Sequence, residues 1–164
     1  MKNLFVCIFF YLSIFAFSNP IEQVNIYFDD KLSFEQTSLD NPKQMLETSS
    51  GKFFRKSDGS IKIDVLTPYL ETYYINNSTI KIYDHDFDDI KVINLNEIQN
   101  SSLINLLLNG IEINENNIRE INVNSFEIII DDKNYYFEFI DEKNLVMKFK
   151  DNMNINNLIK FSKR

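Results

Sequence analysis

The sequence is short of several residue types, and each shortage excludes something. One cysteine, Cys7, rules out a disulfide framework and a cysteine-built zinc cage. One histidine, His85, rules out a multi-histidine metal site. Any mature form lacking Cys7 also has no Cys–His dyad. Three glycines and three prolines exclude collagen-like and Pro-rich linker character. Basic residues are outnumbered, 17 against 24 acidic, for a net charge of −7. That balance argues against a nucleic-acid partner, which needs a surplus of Lys and Arg on one face. The one alanine is Ala16, while Ile, Asn and Lys abound. An AT-rich genome accounts for the bias. Its physical consequence is that helices lose their best former while Ile, Tyr and Phe favour strands.

What is present is ordinary globular composition, 44% hydrophobic and 25% charged in 164 residues. That length suits one domain and is too short for two well-cored ones. Residues 1–18 read as a signal peptide. Lys2 supplies the positive start, and Leu4 to Phe17 is almost wholly apolar but short of the roughly 20 residues of a membrane span. Ala16-Phe17-Ser18 has the small-x-small form of a cleavage site, placing the mature start at Asn19. Cys7 lies inside the apolar core, which does not suit lipid attachment, so a soluble mature domain over 19–164 is expected. The alternative is an uncleaved membrane anchor.

Along the mature chain, Pro20 to Leu32 reads as a helix, with Ile21, Val24, Tyr27 and Phe28 on one face. Strand signals follow: Ser33 to Thr37, Met45 to Lys56 broken by Gly51, and the alternation of Ile61, Ile63 and Val65, which Pro68 ends. Thr72 to Ile75 and Thr79 to Tyr83 flank Asn76-Asn77-Ser78, a hairpin signal because Asn tolerates left-handed backbone. Ile90, Val92 and, at the limit, Leu95 continue the sheet. Asn96 to Asn109 has a helical face of Ile98, Leu103, Leu106 and Leu107, with Ser101 or Ser102 as the cap of a shorter version and Gly110 as the stop. After a polar loop at Asn114–Asn117 come strands near 118–123, 126–130, 135–140, 145–149 and 158–161, with turns at Asp132-Lys133-Asn134 and Asp141–Asn144. About ten strands, mostly antiparallel, and two helices predict a curved sheet with the helices across its concave side.

The polar clusters read as solvated turns. Asp84-His85-Asp86-Phe87-Asp88-Asp89 begins like a calcium loop, but the sixth position is Asp89 instead of Gly and the twelfth is Leu95 instead of Glu. No metal dependence is expected. His85 has no Ser nucleophile recognisably beside it, and the pairs Asp131/Asp132 and Asp141/Glu142 fall at hairpin turns, so no catalytic set emerges. Three Asn-x-Ser/Thr matches, at Asn76, Asn77 and Asn100, are expected by chance in a chain so rich in Asn. What remains is apolar chemistry: a packed core, or a cavity between curved sheet and helical lid.

Phe34-Glu35-Gln36, Gly51 to Lys56, Pro68, Tyr73 to Asn77 and Ile80 to Val92 occur in serial order. Together they resemble the LolA family of bacterial outer-membrane lipoprotein carriers, across roughly residues 20–135. That family shows Phe-x-Gln, a Gly followed by an apolar strand ending in Lys-Arg-Pro, a later Pro, a hairpin at Asp-Gly, and Tyr-Asp-x-x-Leu-x-Gln-Val. The resemblance implies an open half-barrel of antiparallel strands with a helical lid. It implies a periplasmic carrier, not an enzyme, that takes lipoprotein acyl chains from an inner-membrane ABC exporter to an outer-membrane acceptor. No cofactor is implied, and a monomer is expected. The family's Lys-Arg-Pro reads Lys56-Ser57-Asp58 here. Its Arg is held to hydrogen-bond the lid, which Ser57 cannot do, leaving Arg55 or Lys56 as substitutes. The hairpin Asp-Gly is Asn76-Asn77, and Arg164 falls before the family's last strand and Pro-rich tail.

The expected lipid-binding set follows period-2 parity on the sheet: Phe34, Phe53, Ile61, Ile63, Val65, Tyr73, Ile75, Ile80 and Ile82, with Tyr74 replacing Tyr73/Ile75 if the register slips by one. Leu103, Leu106 and Leu107 join them from the lid by helical spacing. Two other readings are an outer-membrane acceptor of the same fold and a secreted β-rich interaction module with a filled core.

Overall fold

The computed structural model describes residues 19–40, 45–98, 101–111 and 117–164. The signal segment 1–18, most of the polar loop at 114–117 and the acceptor asparagine at position 100 lie outside the described residues. Two meanders share one sheet. The first runs β1 (Leu32–Asp40), β2 (Met45–Arg55), β3 (Ile61–Thr67), β4 (Glu71–Ile75), β5 (Thr79–Asp84) and β6 (Asp89–Asn94). The second runs β7 (Ile118–Asn122), β8 (Ser125–Ile130), β9 (Lys133–Asp141), β10 (Asn144–Lys150) and β11 (Asn156–Lys163). β11 pairs with β1, giving the order β6-β5-β4-β3-β2-β1-β11-β10-β9-β8-β7, antiparallel at every step.

α1 (Pro20–Tyr27) starts as its sequence dictates. The Asn19 side chain accepts the Ile21 N–H at 2.9 Å, and Pro20 fills a first-turn position whose N–H would go unused. The helix stops at Tyr27, five residues before the expected Leu32. Asp29 and Asp30 turn the chain, and Leu32 is the first residue of β1, opposite Phe53. A ladder position in the core outweighs one more turn of helix. α2 (Ser102–Asn109) takes the shorter form within the span from Asn96, with Ser101 at its N-cap; Leu95–Glu97 form a separate 3₁₀ turn, with the Asn94 side chain accepting the Asn96 N–H. Gly110, at φ 80°, ends α2 as expected.

The hairpin at Asn76-Asn77-Ser78 is present, for a different reason than left-handed backbone. Asn76 Oδ1 accepts the backbone N–H groups of Ser78 and Thr79, so a side chain builds the turn. Left-handed residues occur instead at Asp131 and Asp132, φ 50° and 59°. These two form the β8–β9 turn and leave Lys133 and Asn134 inside β9, which corrects the expected Asp132-Lys133-Asn134 turn. His85 sits exposed in the β5–β6 turn.

Both helices pack on one face of the sheet. Phe28, just past α1, meets Phe53 at 5.5 Å and Phe161 at 5.1 Å between ring centroids; Tyr27 meets Phe139 at 5.6 Å. These rings sit edge-on, the preferred aromatic geometry. Phe126 and Phe137 stack at 5.2 Å farther along. The side chains between this face and the helices form one continuous core.

Candidate functional site

Strand register places the helix-facing residues in rows. One row runs Leu32, Phe53, Ile63, Tyr73 and Ile82 across β1 to β5. Its neighbours run Phe34, Gly51, Val65, Glu71 and Arg55, Ile61, Ile75, Ile80. All nine sheet residues expected from parity therefore share one face. Tyr74 points to the other face, opposite Lys62 and Lys81.

An open pocket of about 320 Å³ lies on this face. Phe34, Phe53, Ile63, Val65 and Tyr73 line it, with Leu107 from α2. The rest of the expected set sits elsewhere. Ile61, Ile75 and Ile80 are buried in the core under the helices; Ile82 packs against that core. On α2, Leu106 is buried and Leu103 packs beside the core, and neither faces the pocket. Parity reports which face a residue takes, not how far along the strand the core gives way to a cavity.

Seven lining residues escaped the sequence reading: Gln36, Ser49, Pro68, Tyr69, Glu71, Ile159 and Phe161. Gln36 shares parity with Phe34, so alternation could have found it. Ile159 and Phe161 enter because β11 pairs with β1, Phe161 opposite Phe34 and Ile159 opposite Gln36. No local signal announces that pairing.

The pocket has two polar margins. Tyr73 donates its phenol to Glu71 Oε2 at 2.6 Å. Burial first, and the Glu71 carboxylate second, push that phenol well above its ordinary range. At the β1–β11 side, Gln36 Nε2 donates to Asn157 Oδ1 at 3.0 Å, and Ser38 Oγ reaches the same oxygen at 2.6 Å.

α2 is held at both ends. Ser102 Oγ and the Tyr135 hydroxyl are 2.8 Å apart and buried. At the other end Arg55 Nη2 donates to the Leu107 carbonyl at 2.6 Å, while Nη1 pairs with Asp29 at 3.2 Å. The guanidinium lies 6.0 Å from the Phe28 ring centroid. Arg55 thus reaches the α2 backbone from the sheet, whereas Lys56 points the other way and lies over Tyr74 at 5.7 Å. One residue past Gly110, Ile111 exchanges two hydrogen bonds with the Asn25 side chain, at 2.7 and 3.0 Å, joining this segment to α1.

The fold is thus one wide antiparallel sheet with an apolar pocket beside a fastened helix. The chain matches the family described as "Outer membrane lipoprotein carrier protein LolA" over residues 24–159, and it belongs to that family. Its fold is similar to the crystal structure of a LolA superfamily protein from Nitrosomonas europaea. The TM-score is 0.43 at 7% identity, covering 89% of this chain and 93% of that one. A comparison with curated proteins finds no match.

Proposed function

We propose that the protein is a periplasmic carrier that binds the acyl chains of lipoproteins in the pocket beside α2. The sheet then acts as a half-barrel and α2 as its lid. The observation that carries this reading is the convergence of Phe34, Phe53, Ile63, Val65 and Tyr73 with Leu107 around one apolar space. An acyl chain gains roughly 0.8 kcal/mol per buried methylene, so a soluble carrier must hide it from water. The pocket volume lies near the lower end of the roughly 300–1,000 Å³ typical of ligand sites. Several acyl chains therefore need α2 to move, and the Arg55–Leu107 contact is what that movement breaks. Cargo would come from an inner-membrane ABC exporter and pass to an outer-membrane acceptor, by a monomer whose signal segment 1–18 is removed before Asn19.

The test mixes the purified protein with inner-membrane vesicles that hold lipoproteins and a functional exporter. A soluble protein–lipoprotein complex is expected. Its absence refutes the carrier reading. An environment-sensitive dye that brightens in the natively folded protein separates an accessible cavity from a filled core.

A further inference from the structure

The face of β2–β6 turned away from the helices carries its own pattern. Register sets Phe54, Lys62, Tyr74, Lys81 and Val92 in one row across five strands. The adjacent row is Lys52, Asp64, Thr72, Tyr83 and Ile90. Lys56 continues from the end of β2 and lies over Tyr74, as does Lys62 at 5.8 Å. Within β2–β6, Asp64 is the one carboxylate that register puts on this face, and it is paired with Lys62 at 2.9 Å. In a chain of net charge −7, this face is basic. Other carboxylates lie in turns at its ends, Asp58 beside Lys56 in the β2–β3 turn, and Asp86 and Asp88 in the β5–β6 turn. The face is also apolar where it meets water: Ile90 is 56% exposed, Val92 57% and Tyr74 38%.

We propose that this face docks on an anionic lipid bilayer. Lysines alone would suit any acidic surface. Lysines interleaved with exposed Tyr, Ile and Val suit a headgroup layer, where ammonium groups reach phosphates and short apolar side chains enter the acyl boundary. Five strands at about 4.8 Å spacing make a platform about 20 Å wide, broad enough to meet several headgroups at once. The surface lies opposite the pocket, so docking leaves the pocket open. The inference does not rest on the carrier reading, because the probe contains no lipoprotein.

The experiment is co-sedimentation of the purified protein with vesicles of equal parts phosphatidylcholine and phosphatidylglycerol, against vesicles of phosphatidylcholine alone. Intact mass first establishes that the sample begins at Asn19. Binding is expected to the anionic vesicles only and to vanish at about 0.5 M salt. Lys56→Gln/Lys81→Gln should lower the partition coefficient about 25-fold, since each lysine near such a surface contributes about fivefold. Val92→Asp should lower it on the order of tenfold. Lys148→Gln/Lys150→Gln, on β10 in the other half of the sheet, should leave it unchanged. No binding to anionic vesicles, equal binding to both kinds, or equal losses in the β10 variant overturns the proposal. So does a salt-sensitive dimer that the Lys56/Lys81 variant abolishes without any vesicle binding. That outcome would assign the face to the acidic turn of a second copy.

Discussion

Replacing Arg55 with Leu tests how α2 is held. Three interactions are lost. The bond from Nη2 to the Leu107 carbonyl, at 2.6 Å, is charge-assisted and is worth about 1.5–3 kcal/mol. The pair with Asp29 contributes about 0–1 kcal/mol, because Asp29 is 67% exposed. The contact with the Phe28 ring adds about 0.5–1 kcal/mol. One cost is relieved: Arg55 Nε is buried with no hydrogen-bond partner among the described residues, and removing it returns about 1 kcal/mol. Among the described residues only the Leu107 bond joins Arg55 to α2, so α2 loses about 2 kcal/mol of attachment, or about a 30-fold rise in the open population of its C-terminus, while the other terms change the stability of the whole chain. The Leu107 carbonyl has no ready replacement. Its helical donor would be the Ile111 N–H, which Asn25 already takes. Amide hydrogen exchange reads the result directly. Amides from Leu106 to Ile111 should exchange about 30-fold faster, while Ser102, anchored through Tyr135, and strands β2 and β3 keep their protection. Arg55→Lys should fall between, since an ammonium cannot fork between Leu107 and Asp29. Unchanged exchange in a folded Arg55→Leu protein refutes the argument, as does uniform loosening of the whole chain.

Three further outcomes are expected. Ile63→Glu, on the pocket wall, should abolish lipoprotein capture while leaving a cooperative melt, because a carboxylate beside acyl chains costs several kcal/mol; capture by the folded variant at the parent level would remove Ile63 from the site. Gly51→Ala should lower stability by about 3 kcal/mol or more in a denaturant titration, since its Cβ would overlap the Asp64 carbonyl oxygen and lie 2.8 Å from Phe34 Cε1; a change under about 1 kcal/mol would show that β3 yields freely. Stability should also fall as pH rises from 10 towards 12. Burial lifts the Tyr27 phenol to about 12, so its stabilising effect is complete below its ordinary value of 10 and is lost as the folded group ionises, a loss of order 2 kcal/mol that Tyr27→Phe should reduce in a melting series against pH.

The fold was legible where local chemistry decides it. Alternation at Ile61, Ile63 and Val65 marks β3, and Asn76-Asn77-Ser78 marks a hairpin. Errors came where tertiary contacts override local signals. Leu32 belongs to the apolar series of α1 by spacing, yet its place opposite Phe53 makes it a strand residue. The pair Asp131/Asp132 falls at a hairpin turn as expected, but the turn begins one residue before the expected Asp132-Lys133-Asn134, because these two adopt the successive left-handed conformations that a two-residue hairpin requires. The largest omission was the join between the meanders. β1 and β11 lie at opposite ends of the chain, and nothing in either segment names the other.

That join also determines the site. Pairing of β11 with β1 brings Phe161 beside Phe34 and Ile159 beside Gln36, so the pocket is shared between the two halves of the sheet. Gly51 matters for the same geometry. By sequence it breaks β2, whereas its missing side chain is the space that the Phe34 ring occupies across the strand pair. Arg55 follows the same logic. It stands on the helix-facing side because it is two residues from Phe53 in the same strand, and that parity aims a cation at the end of α2, where a carbonyl lacks its helical donor. The family's Arg stands two positions later by motif alignment, at Ser57, which lies outside the strand. A side chain that reaches Leu107 needs helix-facing parity and a place within β2, and of Arg55, Lys56 and Ser57 only Arg55 meets both conditions.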